Sequence, residues 1–361
     1  MIKYIGSKRV LLPQICAAVA ALQPERGTVV DLFAGTARVG HALKKMGYFV
    51  IANDYLRFSY VLARCYVQAD RNRWLREARE VIRELEHVKP EPGFFTETYC
   101  IKARYFHPKN GARIEAIRNA IARLRLPGDL EAIALTALLE AADRVDSTVG
   151  VQMAYLKHWA PRALQDLRLR VPELLCGEGL ALCMDALEAA KQVEGDVAYL
   201  DPPYNQHSYL GNYHVWETLV RWDQPKVYGV AQKRIDCKTV KSPFNSKQRI
   251  RRALQELVNS VRARALVVSF NDEGFLKREE IEQILSLRGY VGVMEIPYRR
   301  YVGAKIGIYN PQGRRVGTVS HTTNREFLFV VSESRAAVAR AVRAVKSVEQ
   351  LDIFAERDAG V

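Results

Sequence analysis

Residues 197–204 read Val-Ala-Tyr-Leu-Asp-Pro-Pro-Tyr, an apolar run that ends in two prolines. A short apolar run bounded by turn residues is typical of a buried strand in a parallel sheet. Because proline has no N–H to donate to the ladder, the chain must leave the sheet after Leu200. Ligands bind at this edge of open α/β sheets. The carbonyls of Pro202 and Pro203 remain free acceptors between the Asp201 carboxylate and the Tyr204 phenol ring. Such a cluster suits an amino group that donates hydrogen bonds beneath a stacked ring. The alternative is an ordinary turn after a strand.

A second predicted strand leads into a glycine turn. Residues 29–33 form a β-rich run, residues 34–36 read Ala-Gly-Thr, and a helical pattern continues to Met46. The next predicted strand, 48–52, is followed by Asp54, roughly 20 residues beyond the first strand, as for a ribose-binding carboxylate. The G-x-G-x-x-G pattern is absent here, which favours a nucleoside without a pyrophosphate. A turn that binds no ligand is the alternative.

The chain is strongly basic. Its 361 residues include 54 Lys and Arg against 40 Asp and Glu, giving a net charge of +14, and 48% are hydrophobic. This composition supports a sizeable core and favours a polyanionic partner, because phosphate contacts release counterions. A basic solvated surface is the alternative. Six scattered cysteines indicate free thiols and a cytoplasmic location. Pro13 and Gln14 interrupt the apolar run 10–22, so we predict neither a secretory signal nor a membrane span.

Strand patterns stop after about residue 60 and resume near residue 180. We therefore predict a discontinuous catalytic domain, 1–60 and 176–361, interrupted by a mainly helical segment, 61–175. That segment carries regularly spaced arginines and a predicted turn at 109–111, which are candidates for contact with a nucleic acid. The basic excursion 205–252 begins directly after the prolines and is a further candidate. A solvated helix face is the alternative interpretation of the arginines.

Five segments, taken in order, resemble a known family. They are KYIGSK at 3–8, DLFAGT at 31–36, Asn53-Asp54, Asp185 within LCMDALEA, and DPPY at 201–204. This set resembles the alpha group of DNA N6-adenine methyltransferases, the DNA adenine methylase family. Longer stretches such as STVGVQMAYLKHW resemble the modification enzymes of restriction-modification systems. One departure is Gly6-Ser7, where relatives often have two glycines.

The resemblance implies an α/β fold: a Rossmann-like S-adenosylmethionine-dependent methyltransferase sheet with helices on both faces, plus a mainly helical inserted target-recognition domain at 61–175. It implies an enzyme that transfers a methyl group from S-adenosylmethionine to N6 of a flipped-out adenine in duplex DNA, leaving S-adenosylhomocysteine. Asp201 and the Pro202 carbonyl would accept from the amino group, Pro203 would shape the turn, and Tyr204 would stack on the base. No metal is required.

The resemblance also assigns cofactor contacts to the amino-terminal segment and to the ends of strands. Asp54 would bind the ribose hydroxyls, Asp185 the adenine amino group, and Lys8 the carboxylate of the methionine portion. The full predicted cofactor set is Tyr4, Lys8, Asp31, Phe33, Ala34, Gly35, Thr36, Asp54, Asp185 and Asp201.

The predicted partner is duplex DNA, and a cognate restriction endonuclease is the further partner that the resemblance suggests. No membrane or metal partner is expected. Two alternatives remain open at this point. An RNA base methyltransferase, acting on adenine or guanine of ribosomal RNA, would share the core chemistry. A non-catalytic DNA-binding specificity subunit would share the positive charge but lose turnover.

Overall fold

The computed structural model describes the backbone of residues 1–299, 308–309, 315–317 and 323–358, and the side chains of 1–297 and 325–348. Other positions of the predicted segment 176–361 lie outside the described residues. The described strands are β1 Thr28–Asp31, β2 Phe49–Asn53, β3 Gly179–Leu182, β4 Glu194–Leu200, β5 Val227–Tyr228, β6 Lys233–Arg234, β7 Arg262–Asn271, β8 Tyr290–Arg299, β9 Ile308–Tyr309, β10 Arg315–Gly317 and β11 Thr323–Ser332.

The helices lie between these strands and after them. The α-helices are α1 Leu12–Leu22, α2 Arg38–Lys45, α3 Arg57–Ala63, α4 Arg71–Glu86, α5 Phe94–Thr96, α6 Pro108–Leu124, α7 Gly128–Arg144, α8 Ala186–Gln192, α9 Tyr209–Asn212, α10 His214–Arg221, α11 Ile250–Ser260, α12 Arg278–Leu285 and α13 Arg335–Asp358. Short π-helical turns occupy Arg64–Gln68 and Glu97–Lys102, and 3₁₀ turns occupy Pro161–Leu164, Ile235–Lys238, Pro243–Asn245 and Ser286–Arg288.

Seven strands form one sheet in the order β3-β2-β1-β4-β7-β11-β8. The first five strands of this order are parallel, and β11 pairs antiparallel with both β7 and β8. The predicted strands at 29–33, 48–52 and 197–200 correspond to β1, β2 and β4. The strand order changes direction between β1 and β4, and such a switch point leaves a crevice at the carboxyl ends of the strands.

Alternate side chains of the central strands supply two hydrophobic cores. Val29 and Val197 face a core shared with α1, α2 and α13, whereas Val30 and Ala198 face a core shared with α8, α11 and α12. This alternation is expected of strands that are covered on both faces, since successive side chains point to opposite sides. The mixed α/β fold with a mostly parallel central sheet matches the predicted class.

The segment 61–175 is mainly helical as far as Leu164. Its buried side chains, such as Ile117 and Leu138, belong to the same hydrophobic cluster as Val29 and Val197 of the sheet. Helices α4, α6 and α7 therefore extend the core on one face of the sheet. This packing anchors the segment to the strands that carry the predicted site.

The predicted turn at 109–111 is wrong, because these residues begin helix α6. The Asn110 side chain donates to the carbonyls of Ala163 and Gln165, at 3.0 and 2.8 Å. A Cβ at Gly111 would lie 2.3 Å from Cys100 Sγ, so the backbone here is packed closely against a neighbouring segment. Asn110 and Gly111 therefore serve tertiary packing within a helix, although local turn statistics favour a turn for this pair.

All six cysteines are unpaired in the structure. Within the described residues, no helix combines the length and apolar character needed to cross a bilayer. The same part of the chain brings together no cluster of three or more His, Cys, Asp or Glu side chains that could hold a metal ion.

Candidate active site

A cavity of about 360 Å³ lies at the carboxyl edge of the sheet, around the ends of β1 and β4. Most of the predicted site residues line it. They are Tyr4, Lys8, Asp31, Phe33, Ala34, Gly35, Thr36, Asp54, Asp185, Asp201 and Pro203. Pro202 and Tyr204 are buried and do not form part of the cavity wall.

Asn53 fastens the three strand ends on one side of the cavity. Its amide nitrogen donates to the carbonyls of Leu32 and Met184, at 3.3 and 3.1 Å, and its amide oxygen accepts from the Met184 N–H at 3.2 Å. Asn53 is buried, so each of these hydrogen bonds also satisfies a polar group that water cannot reach. The loops after β1, β2 and β3 are thereby held in a fixed relation.

The glycine turn after β1 is tied to Asp54. Gly35 has a left-handed φ of +52°, and a Cβ there would lie 3.1 Å from the Tyr4 ring. Its N–H donates to Asp54 Oδ2 at 2.8 Å, while the Leu56 N–H donates to Oδ1 at 2.9 Å. Burial raises the pKa of Asp54 to about 6, although these backbone hydrogen bonds oppose the rise. Asp54 therefore braces the turn that forms the cavity floor.

Asp185 lies at the amino end of α8, where its side chain accepts from the Leu187 N–H at 2.8 Å. This capping hydrogen bond fixes one carboxylate oxygen and leaves the residue exposed at the cavity rim. The position agrees with a polar contact at one end of an elongated ligand.

Lys8 lies at the other side of the cavity between two carboxylates. Its Nζ is 3.2 Å from Asp201 Oδ1 and 3.4 Å from Glu326 Oε2, and the lysine side chain is only 5% exposed. Burial lowers the pKa of Lys8, but the two carboxylates outweigh burial and hold it well above its usual value. Burial raises the pKa of Asp201 to about 6, and Lys8 opposes that rise. Lys8 is thus a buried counter-ion of the predicted catalytic carboxylate.

Asp31 is the most strongly perturbed carboxyl group of the cavity. It is 1% exposed, one oxygen accepts from the Phe33 N–H at 3.4 Å, and the other has no hydrogen-bond partner among the described residues. Burial raises its pKa to about 8, and the neighbouring Asp201 adds to the rise. Near neutral pH the group is therefore mostly protonated.

Tyr204 is held behind the cavity wall by the end of β7 and the segment that follows it. Asn271 donates to its hydroxyl at 2.9 Å, the Phe275 N–H donates to its carbonyl at 2.8 Å, and its ring lies 5.7 Å from the Phe270 ring. Only 8% of Tyr204 is exposed. A base that stacks on this ring must first gain access to it.

The structure adds cavity residues that sequence reasoning missed. Phe244 meets Phe33 edge to face, with ring centroids 5.4 Å apart, and belongs to a short segment, 240–245, that lines the cavity. Asn245 holds this segment in place by donating to the carbonyls of Asn205 and His207, at 2.7 and 3.1 Å. The only sequence signal was the position of this segment inside the excursion that follows the prolines.

Arg38 was also missed. It lines the cavity beside the glycine turn, and its Nε is buried without a hydrogen-bond partner among the described residues.

Tyr4 is sandwiched between Tyr209 and Tyr213, with centroids 5.2 and 4.7 Å away and nearly parallel rings. These stacked rings fix the amino-terminal segment against the excursion.

Several candidate nucleic-acid contacts are occupied within the protein. Arg234 is 1% exposed and pairs with Asp223 and Asp236 at 2.7 and 2.9 Å. In the helical segment, Arg118 is buried and donates to the carbonyls of Leu219 and Val220. Exposed cations remain on both the segment and the excursion. In the excursion they are Arg221, Lys226, Lys238, Lys241, Lys247, Arg249, Arg251 and Arg252.

A family model described as D12 class N6 adenine-specific DNA methyltransferase matches residues 4–284. The chain belongs to this family. The match begins at Tyr4 in the amino-terminal segment and includes all of the predicted site, from that residue to Tyr204.

Curated relatives are modification enzymes. The chain is 33% identical to the type II methyltransferase M.FokI of Planomicrobium okeanokoites, over 83% of this chain and 49% of that protein. It is 30% identical to the modification methylase StsI of Streptococcus sanguinis, over 83% of this chain and 48% of that protein. The chain thus spans about half the length of these two relatives. The type II methyltransferase M.NlaIII of Neisseria lactamica is 30% identical over 90% of this chain and 99% of its own length.

Replacing Lys8 by Met tests the buried ion contact. The change leaves buried Glu326 and partly buried Asp201 without their counter-ion, so we expect the free energy of unfolding to fall by about 3–5 kcal/mol near neutral pH. This loss of unfolding free energy becomes smaller as the pH falls below the raised pKa of Asp201, because protonation of Asp201 removes its uncompensated charge. Denaturant unfolding at several pH values measures both effects.

Lys3→Met is the matched control, since Lys3 also contacts two carboxylates, those of Asp143 and Asp146, but is 33% exposed. Asp146 keeps its ion pair with Arg162 at 2.8 Å, and Lys3 is already partly solvated, so the loss of Lys3 lowers the free energy of unfolding less than the loss of Lys8 does. Equal losses in the two variants, or a loss at Lys8 that does not change with pH, would contradict the buried arrangement.

Proposed function

We propose that this protein transfers a methyl group from S-adenosylmethionine to N6 of an adenine in duplex DNA, as the modification enzyme of a restriction-modification system. Family membership and the names of the relatives support the reaction. The observation that carries it here is Asp201 at the switch point, held beside a cavity of about 360 Å³. The free thiols fit a reducing cytoplasm.

The amino group of adenine is a weak nucleophile, because its lone pair is delocalised into the ring. Hydrogen-bond acceptors on its two N–H bonds favour a more tetrahedral nitrogen that can attack the methyl group. In our proposal Asp201 and the Pro202 carbonyl are these acceptors, and Pro203 holds the turn. S-adenosylmethionine supplies an activated methyl group, so binding, alignment and electrostatics are the work of the protein.

The target base needs to leave the duplex to reach this corner. Tyr204 is our candidate for the stacking partner, and its low exposure means that the segments covering it must shift when DNA binds. Asn245 connects 240–245 to the residues that follow Tyr204, so this segment is positioned to move with them.

The cofactor assignments follow the shape of the cavity. Asp185 at one rim would accept a hydrogen bond from the adenine amino group of the cofactor, and Asp54 would accept hydrogen bonds from the ribose hydroxyls. Lys8 is already held by two carboxylates, so we assign the carboxylate of the methionine portion to Arg38, whose Nε has no partner among the described residues. The remaining contacts would come from Tyr4 and the backbone of the glycine turn.

Target recognition is proposed for the segment 61–175 together with the excursion 205–252. The two are fastened to each other. The Tyr105 hydroxyl donates to the Ala231 carbonyl at 2.9 Å, and the Gln152 side chain accepts from the Val215 N–H at 2.9 Å. Exposed lysines and arginines on both would contact phosphates. A shared, rigid attachment lets both surfaces meet one duplex.

Methyl transfer with labelled cofactor tests the reaction. Unmethylated duplex DNA of varied sequence is compared with ribosomal RNA, and digestion to nucleosides identifies the product. We expect N6-methyladenine in DNA. Label in RNA alone would instead support an RNA methyltransferase, and cofactor binding without any transfer would support a specificity subunit.

Asp201→Ala should reduce turnover by roughly 10²-fold or more, the scale for removing one preorganised hydrogen-bonding group. Cofactor and DNA binding should largely remain, because the phosphate contacts and most of the proposed cofactor contacts are made by other residues. Single-turnover rates and binding titrations measure the two effects. Asp196→Asn, at the amino end of the same strand, is the control and should keep its turnover. An active Asp201→Ala variant would remove the acceptor role.

Asp31 provides a pH test of the cofactor site. The reacting methyl would have to approach Asp201, which would bring the sulfonium near Asp31, and opposite charges about 4 Å apart attract by roughly 4 kcal/mol at an effective dielectric of about 20. Asp31 ionises as the pH rises through its pKa of about 8. Affinity for S-adenosylmethionine should therefore rise with pH relative to S-adenosylhomocysteine, which lacks the positive sulfur.

Calorimetric titration of both ligands on either side of that pKa measures the ratio of the two affinities. Asp31→Asn should abolish the pH dependence of this affinity ratio. Arg38→Gln is the matched comparison: it should weaken both ligands equally, since both carry the same carboxylate, and leave the ratio responsive to pH. A wild-type ratio that does not change with pH rejects the role of Asp31, and unchanged affinities in Arg38→Gln reject that of Arg38.

Hydrogen exchange with and without specific DNA tests the recognition assignment. We expect slower amide exchange in both 61–175 and 205–252 when DNA is bound, because contact removes solvent and local opening. A non-specific duplex of equal length is the control for phosphate contacts alone. Protection confined to 205–252 would remove the recognition role from the helical segment.

A further inference from the structure

Glu326 reaches the catalytic corner from a part of the chain that the family match does not include. It lies on β11, whereas the match ends at residue 284. Its side chain is 7% exposed, and its Oε2 is 3.4 Å from Lys8 Nζ, which in turn is 3.2 Å from Asp201 Oδ1. A carboxylate far along the chain is therefore linked through one lysine to Asp201.

The backbone of Glu326 is linked to the same corner by a second route. Glu326 is the register partner of Asn271 on β7, and the Asn271 side chain donates to the Tyr204 hydroxyl at 2.9 Å. Residue 326 thus connects to the first residue of 201–204 through its side chain and to the last through its strand partner. Both ends of the tetrapeptide 201–204 are therefore linked to one residue of β11.

A second buried carboxylate beside Lys8 requires an explanation. One lysine neutralises one carboxylate, so Asp201 and Lys8 alone would form a balanced pair. Adding Glu326 leaves a net negative charge in a buried cluster, which is unfavourable for stability. A lysine ammonium on a flexible stem can take many positions around a single carboxylate. Two carboxylates, one directly after β4 and one on β11, restrict it to the region between them.

We propose that Glu326 is a positioning residue for methyl transfer, which acts through Lys8 to orient the Asp201 carboxylate towards the target amino group. Lys8 occupies Oδ1 of Asp201, and the second oxygen accepts from the amino group. This role rests on the proposed function. It uses a fixed hydrogen-bond geometry held by supporting residues, as catalytic groups require.

The charges around Asp201 give this role a measurable signature. Asp201 is faced by Lys8, by Glu326 on β11, and by Asp31 at the end of β1. The phenol groups of Tyr4, Tyr199 and Tyr209 also surround it. Burial raises the pKa of Asp201 to about 6, Lys8 lowers it, and Glu326 raises it. Removing the Glu326 charge should therefore lower that pKa and move the acid limb of kcat to lower pH.

Glu326→Gln tests the proposal in the full-length protein with S-adenosylmethionine and a methylatable duplex. We expect kcat to fall about tenfold, at the lower end for supporting hydrogen-bond partners, with cofactor Kd and DNA KM changed by less than about twofold. The acid limb should shift downwards in the same variant. Glu295→Gln on β8 is the matched control, because Glu295 is exposed and pairs with Arg278 on the outside of the same sheet. It should leave kcat and the acid limb unchanged.

Glu326→Asp retains the charge but shortens the side chain by one methylene group. We expect an intermediate kcat and an acid limb near that of the unmodified protein. If Glu326→Gln does not fold, Glu326→Asp alone decides: unchanged kcat in that variant overturns the proposal. If Glu326→Gln folds, an unchanged kcat, or a lower kcat with an unmoved acid limb, overturns it as well. Absence of methyl transfer by the unmodified protein would instead reject the proposed function.

Discussion

The contact of the Lys8 ammonium with Asp201 and Glu326 is the interaction on which the candidate site depends. It joins the amino-terminal segment, the end of β4 and the middle of β11, which are far apart in sequence. The lysine is buried, so water cannot take its place, and each carboxylate needs it as a counter-ion. The position of Asp201 in the cavity is therefore a property of three chain segments together.

The rest of the cavity follows from the order of the strands. Asp31 ends β1 and Asp201 follows β4, and these two strands are neighbours at the switch point. Their carboxyl groups consequently face one buried space, where the charge of Asp201 raises the cost of ionising Asp31. A cationic ligand is the natural partner of such a pair. Asn53 and Asp54 complete the edge by holding the adjacent loops.

The helical segment and the excursion are part of the same architecture. Helices α6 and α7 pack in the core of one sheet face. The helical segment is attached to the excursion by a hydrogen bond that Tyr105 donates and one that the Gln152 side chain accepts. Such packing explains why some predicted nucleic-acid contacts are internal. Arg118 donates to backbone carbonyls and Arg234 pairs with carboxylates of the protein, whereas the exposed cations lie on its outer surface.

The sequence by itself determined the strands, the glycine turn, the prolines that end β4 and the family, because these depend on local patterns of apolar residues, glycine and proline. Most of the residues that it predicted for the site line the cavity, since carboxyl ends of parallel strands meet at one edge. Only the tertiary structure decided that Lys8 contacts two carboxylates, that Asn110 and Gly111 lie in a helix, and that Phe244, Arg38 and Glu326 reach the site. These contacts join residues distant in the chain, and their energies come from burial and charge pairing, which no local pattern encodes.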